Sequence, residues 1–244
     1  MQSYKQNTYA SNSAIKRWLH KKRFNTAIKA LDLKPDDTLL DYGCGDAHLL
    51  KLCANFLPAS PAGRPTQNLF GFEPAFSLRD EATKNVAPLD IKIVGSINGF
   101  TKQFTKIACL ETCEHLLESD LEKLFSNVQG LLAQNGTAIF SVPIEIGLPA
   151  LFKNIFRFLK NKSYDNLTFK NYFRTTFGLT TPRNLSQQLD GINYIYSHIG
   201  FNHKKLEKTL KRFFKITQKT FSPVNALGSA LNNTIYYTCV QLSQ

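Results

Sequence analysis

Residues 39–47 read Leu39-Leu40-Asp41-Tyr42-Gly43-Cys44-Gly45-Asp46-Ala47, and the fold turns on how this stretch is taken. A short run of strand character meets two glycines spaced one residue apart, and helical spacing begins after Ala47. Glycines at a strand-to-helix turn let the backbone come close to a ligand and aim amides at it from a helix N-terminus. A lone Gly-x-Gly says little; its place after the first strand of an alternating pattern says more.

Working outward, apolar residues at Ile15, Trp18, Leu19, Ala27, Ile28 and Leu31 predict a helix over Ser13–Leu31. After the glycine turn come a helix to Phe56, a Pro-rich loop over Pro58–Asn68, a strand to Phe72 and a helix over Phe76–Val86. Ile91–Val94 and Ile107–Leu110 read as strands, Leu116–Leu132 as a helix closed by Gln134-Asn135-Gly136, and Thr137–Val142 as the next strand. Such alternation predicts an α/β chain with a mostly parallel sheet covered on both faces. Beyond Pro143 the rhythm breaks. Residues 144–197 are aromatic and basic and read as an inserted cap. A helix over Asn202–Phe213 follows, then strand-like runs Lys215–Phe221 and Thr234–Leu242 that predict an antiparallel ending. The expectation is a single domain over 1–244, with an N-terminal helical segment at 1–35 and the cap within the domain.

The chain has 244 residues and a net charge of +12. That length supplies one sizeable core. No run is long and apolar enough for a membrane span, and Met1–Lys22 has no apolar signal-peptide core. Five cysteines, an odd number spread from Cys44 to Cys239, argue for reduced thiols and a cytoplasmic chain. The charge is uneven. Residues 1–36 carry eight basic and two acidic side chains, residues 37–150 eight and thirteen, and residues 151–220 fourteen and three. An acidic centre between basic flanks suits a nucleotide site framed by segments that meet an anionic or lipid-linked partner; a merely solvated basic surface is the plain alternative.

Two ligand classes compete at the glycine turn. A dinucleotide site wants a third glycine at the sixth position and a ribose-binding acid about 20 residues on. Here the sixth position is His48, and the next strand-end acid is Glu73. That spacing argues against a dinucleotide.

Asp41-x-Gly43-Cys44-Gly45, the strand-end Glu73, Glu114-His115-Leu116 after the fourth strand, and Gly136 with Ser141-Val142-Pro143 around the fifth together resemble a class I S-adenosylmethionine-dependent methyltransferase. The resemblance covers roughly residues 36–143. It implies a Rossmann-like three-layer sandwich with a seven-stranded sheet, an antiparallel final strand and a helical cap after the fifth strand. It implies S-adenosyl-L-methionine as cofactor and S-adenosyl-L-homocysteine as product. Asp41, Gly43, Cys44 and Gly45 match the loop around the methionine portion, and Glu73 with Pro74 the ribose-binding strand end. Ser96 and Ile97 match the adenine-flanking turn, Leu110 and Glu111 the segment facing the sulfonium. The chain departs from the pattern at Ala47, where many members have glycine, at Ser96, often aspartate, and at Lys106.

On the acceptor side, His115 and His198 are the candidate bases for a hydroxyl acceptor, since imidazole titrates near neutrality. Cys109, Cys113 and His115 raise zinc, but without paired C-x-x-C spacing no metal is expected. Leu148, Leu151, Phe152, Ile155, Phe158 and Leu159, with Lys153, Arg157, Lys160 and Lys162 between them, form an apolar face that caps the site or lies at a membrane surface. Tyr164, Phe169, Tyr172, Phe173 and Phe177 extend it. The expected partner is a small-molecule acceptor: a sugar, lipid-linked sugar or specialised metabolite hydroxyl, with peripheral contact to anionic membrane. RNA is the rival acceptor. Leu110-Glu111-Thr112-Cys113 is not the Asn-Pro-Pro-Tyr type used on exocyclic base amines, which counts against it. A non-catalytic scaffold is the other rival.

Overall fold

A computed structural model describes residues 13–57, 66–159, 168–179, 181–183 and 187–242. The expectations placed on the first twelve residues, on 58–65, and on Lys160, Lys162 and Tyr164 lie outside the described residues, as do those on the side chains of Phe158 and Leu159.

Seven strands form one sheet in the order β3-β2-β1-β4-β5-β9-β8. They are β1 (Leu39–Tyr42), β2 (Leu69–Phe72), β3 (Lys92–Val94), β4 (Phe104–Leu110), β5 (Leu132–Pro143), β8 (Phe214–Ser222) and β9 (Thr234–Gln241). β1 to β5 are mutually parallel; β9 runs antiparallel to both β5 and β8. The antiparallel final strand expected from the sequence is therefore β9, inserted inside the edge strand β8. All four residues of β1 are buried, as a strand covered on both faces requires. Leu40 faces a core layer with Tyr42, Ile107, Phe125 and Phe140, and Leu39 the opposite layer with Leu50, Leu69, Ala108 and Ile139.

The helices are α1 (Ala14–Leu31), α2 (His48–Phe56), α3 (Phe76–Val86), α4 (Glu118–Leu131), α5 (Leu148–Leu159), α6 (Phe169–Thr176), α7 (His203–Leu210) and a short α8 (Gly228–Leu231). Ser13 caps α1, and the Asn202 carboxamide accepts from Lys204 N and Lys205 N at the start of α7. Such a cap contributes about 1 kcal/mol. Two elements differ from expectation. β5 begins at Leu132, and Gln134-Asn135-Gly136 sits inside it, where pairing jumps from Phe104↔Leu132 to Lys106↔Thr137. The turn signal is thus a register shift within a strand. The segment after Pro143 contains α5 and α6 and also a hairpin of β6 (Gln187–Leu189) and β7 (Ile192–Tyr194), closed by Asp190-Gly191, which the sequence reading did not place.

All five cysteines are buried and unpaired. Among the described residues no helix is long and apolar enough to cross a membrane. Strand β1 lies between β2 and β4, so the chain's connections depart in opposite directions there, and a crevice opens at the carboxyl ends of these strands.

Candidate active site

The glycine turn is built as its residue types demand. Gly43 and Gly45 have φ of +78° and +54°, and a Cβ on Gly43 would sit 2.6 Å from Thr112 Oγ1. Around Gly45 a Cβ would meet nothing within 4 Å, so the turn is open on that side. Gly43 N and Cys44 N both donate to the Phe72 carbonyl, at 2.8 and 3.0 Å, tying the turn to the end of β2. Ala47 also adopts a left-handed conformation, φ +60°, at the N-cap of α2. An L-residue there costs about 1 kcal/mol.

Glu73 is buried at the end of β2. Its Oε2 accepts from Gly45 N and its Oε1 from Ala75 N, each at 3.0 Å. Arg79 Nη1 donates to the Glu73 and Pro74 carbonyls. Burial raises the Glu73 carboxyl above its usual range, against the pull of the two amides and Arg79. Asp41 is wholly buried, and burial, helped by the Glu73 and Asp46 carboxylates, pushes it up to about 8. Ser96 caps the turn before Ile97, its Oγ accepting from Asn98 N.

At the end of β4, Glu111 has φ +51°. Its carboxylate pairs with Arg23 of α1 at 2.6 Å and accepts from Ser141 Oγ at 3.2 Å. The Tyr236 hydroxyl donates to the Arg23 carbonyl. Helix α1 therefore walls one side of the crevice, and nothing in the local sequence around Arg23 announced it.

The next residues form a second cluster. His115 Nδ1 lies 2.8 Å from the Ile195 carbonyl, while Ile195 N donates to the His115 carbonyl. The Tyr194 ring stacks on His115 at 4.3 Å, and His198 lies 4.9 Å from it, centroid to centroid. The two candidate bases are thus brought together, on a link between β4 and the cap hairpin. Burial lowers His115 to about 4 and His198 to about 3, with Arg183 adding to the first and His115, Lys153 and Arg157 to the second. Both rings are neutral at neutral pH and weakly basic, which makes them poorer general bases than an ordinary histidine. Glu114 is 0% exposed. Burial and the nearby Glu111 raise its carboxyl well above the usual range. Arg183 donates to the Glu114 carbonyl oxygen rather than to the carboxylate. Cys109 and Cys113, raised as zinc ligands, are buried with sulfurs 3.9 Å apart.

The cap is anchored at both ends. Glu145 accepts from Lys153 and Arg157, both at 2.9 Å. Burial alone would raise this carboxyl; the two cations outweigh it and hold it at about 2. At the hairpin tip Asp190 accepts from Ser77 N and Ser77 Oγ, at 2.7 and 2.8 Å. The hairpin thus arches from His115 at the end of β4 to Ser77 beyond β2, roofing the crevice above Glu73. Arg23, Glu145, Arg183, Asp190 and Tyr194 were not legible as site residues. Arg23, Arg183, Asp190 and Tyr194 act through partners distant in sequence, and Glu145 through two cations of the following helix.

A family model described as a methyltransferase domain matches residues 10–194. Similar solved structures include a protein from Pyrococcus horikoshii (11% identity, TM-score 0.62, 99% of this chain and 97% of that one). They also include an S-adenosylmethionine-dependent methyltransferase from Clostridium acetobutylicum (14%, 0.58, 98% and 96%). A third is the magnesium protoporphyrin IX methyltransferase from Synechocystis, with bound SAH (12%, 0.56, 97% and 92%). At these identities the likeness concerns the fold. No curated protein sequence matches the chain.

Proposed function

The chain belongs to the methyltransferase-domain family, and from that premise we propose that it transfers a methyl group from S-adenosylmethionine to a hydroxyl of a small-molecule acceptor. The crevice residues fit that donor. The turn is open beside Gly45, and the buried Glu73 carboxylate, holding one amide on each oxygen, keeps lone pairs for two ribose hydroxyls. Asp41, Gly43, Cys44 and Gly45 would hold the methionine portion, Glu73 and Pro74 the ribose, Ser96 and Ile97 the adenine, with Leu110 and Glu111 toward the reacting end.

The donor supplies an electrophilic methyl group on a sulfonium. The chain's own task is therefore chiefly alignment of the acceptor at a near-attack distance of about 3–3.5 Å. Arg23 and Ser141 hold Glu111 in one orientation at the strand end. The observation that carries the hydroxyl reading is the gathering of Glu114, His115 and His198 immediately beyond that strand end. Three groups that bind protons or cations would face an acceptor oxygen brought to that strand end. We assign His115 and His198 to the acceptor oxygen and its proton.

Phe169, Phe173 and Phe177 form a row of neighbouring rings on and just beyond α6, and all three are exposed. Lys170 and Arg174 alternate with them. This face supports an acceptor with an apolar or lipid-linked portion, met at an anionic surface. Five unpaired thiols support a cytoplasmic setting. The test is mass spectrometry of host metabolite and lipid extracts after incubation with chain and methyl donor. A product heavier by one methylene, in the lipid or polar fraction, is expected. Methylation confined to added RNA would replace this reading with the nucleic-acid one, and no binding of the donor by the folded chain would remove both.

A further inference from the structure

We propose that Glu114, His115 and His198 bind a divalent first-row transition-metal ion, and that this ion receives the acceptor's oxygen. The three side chains each offer one donor atom, and these atoms lie within 4.8 Å of one another. Around such an ion, ligand atoms sit about 3.0–3.4 Å apart, so small side-chain rotations close the set. Two imidazoles and one carboxylate are the ligands that zinc and ferrous-type ions favour, and they leave positions open for an exogenous oxygen.

Two further observations point to an ion. Glu114 is fully buried, yet neither carboxylate oxygen has a hydrogen-bond partner among the described residues. A buried carboxylate without partners costs several kcal/mol, and a cation offsets that cost. Second, His115 is already set up as a ligand. The Ile195 carbonyl can only accept, so Nδ1 carries the proton and Nε2 keeps its lone pair. That nitrogen lies 3.9 Å from Glu114 Oε1. A backbone carbonyl on the far nitrogen is the usual outer support of a metal-bound imidazole, and stacking of Tyr194 fixes the ring plane. Arg183 donates to the Glu114 carbonyl and faces the Phe201 ring rather than bonding the carboxylate, and Arg23, which acts on that carboxylate electrostatically, is paired with Glu111.

An ion here lowers the proton affinity of a bound hydroxyl, as metal-bound water illustrates. An ion held by Glu114, His115 and His198 would polarise the acceptor's hydroxyl, whose O–H bond would break with the proton passing to a water molecule while the oxygen takes the methyl group and the donor's C–S bond breaks. The inference deepens the proposed function and rests on it only for the ion's role.

The test is titration of the chelator-treated full chain with Co²⁺ alone, followed by its visible d–d absorption and by metal analysis after gel filtration. One Co²⁺ per chain is expected, with binding weakened at least about 100-fold in Glu114→Gln and in His198→Ala. S-adenosylhomocysteine affinity, measured on the same samples, should stay within about threefold and reports that each variant is folded. No Co²⁺ on the wild-type chain, or equal uptake by both variants, overturns the site and leaves Glu114 a buried acid satisfied by proton and water. Co²⁺ uptake without any affinity for the nucleoside would keep the site and remove the methyl-transfer reading.

Discussion

The two halves of the crevice are made differently. On the donor side, between β1 and β2, every key contact comes from backbone amides and a nearby carboxylate: Gly43 N and Cys44 N on Phe72, Gly45 N and Ala75 N on Glu73. On the acceptor side, side chains carry the contacts: Arg23 pairs with Glu111, the His115 ring meets the Ile195 carbonyl, and Lys153 and Arg157 pair with Glu145. Both halves join residues far apart in sequence, Gly45 to Glu73 and His115 to Ile195, but the first does so through a glycine turn and a strand end whose residue types are recognisable, and the second through side chains with no such signature.

The largest expected effect breaks the donor half. Glu73→Ala removes the ribose acceptor and two amide partners together. Donor affinity should fall at least about 100-fold, near 3 kcal/mol, since each charge-assisted hydrogen bond contributes about 1.5–3 kcal/mol. Calorimetry with S-adenosylhomocysteine measures it, and normal affinity removes the ribose assignment. The matching break on the other side is Glu145→Gln, which leaves Lys153 and Arg157 facing a neutral group. A loss of about 3 kcal/mol in stability is expected, with donor affinity little changed. The wild-type ion pair contributes fully above the unfolded value of 4.5 and is lost as pH falls through about 2. Denaturation curves should therefore show an acid-limb weakening between those values that Glu145→Gln lacks.

Asp41 sharpens the contrast through protons. In the free protein it holds its proton to about pH 8, against 3.8 ordinarily. Because its folded value is raised, its contribution favours the folded state most at low pH and declines as pH rises from about 4 to 8. A cationic donor settling beside it should expel that proton. Donor affinity then rises with pH across this window by up to about tenfold per unit. Titration in two buffers of different ionisation enthalpy should read a proton released at neutral pH; equal heats would place the ammonium away from Asp41.

A smaller effect is expected for Arg23→Ala. Freeing Glu111 should lower kcat/KM by about tenfold, an expected 1–2 kcal/mol for a half-buried pair, while donor binding stays near normal. An equal loss in both would make α1 part of the donor half. The smallest is Ala47→Gly, which relieves the left-handed alanine while adding freedom to the unfolded chain. A net gain below about 1 kcal/mol is expected by denaturant unfolding, and a clear loss would mean that the methyl group packs.

The sheet and its donor edge could be read in advance because they follow from periodicity and glycine placement. Leu39–Tyr42, Phe76–Val86 and the late pair of strands came out close to their expected limits. The His115–His198 pairing was visible only as two isolated residues, 83 apart in sequence. The β6–β7 hairpin was missed although Asp190-Gly191 is a hairpin-turn signal, because its flanking strands are only three residues long, too short for alternation to register. In the sequence the metal question rests on Cys109, Cys113 and His115 and is answered with no metal, whereas the group the fold brings together, Glu114, His115 and His198, draws its third member from beyond the hairpin. Long-range pairing leaves no periodic trace.

The buried thiols give the molecule internal reporters. A cysteine shielded in the native state is alkylated only during an opening event, so its labelling rate measures the free energy of that excursion. Cys44 lies beneath the glycine turn, whereas Cys239 lies in β9, two strands beyond β4. An occupied nucleoside pocket should slow modification at the first and leave the second untouched, so two thiols in one chain become a gauge and its own reference.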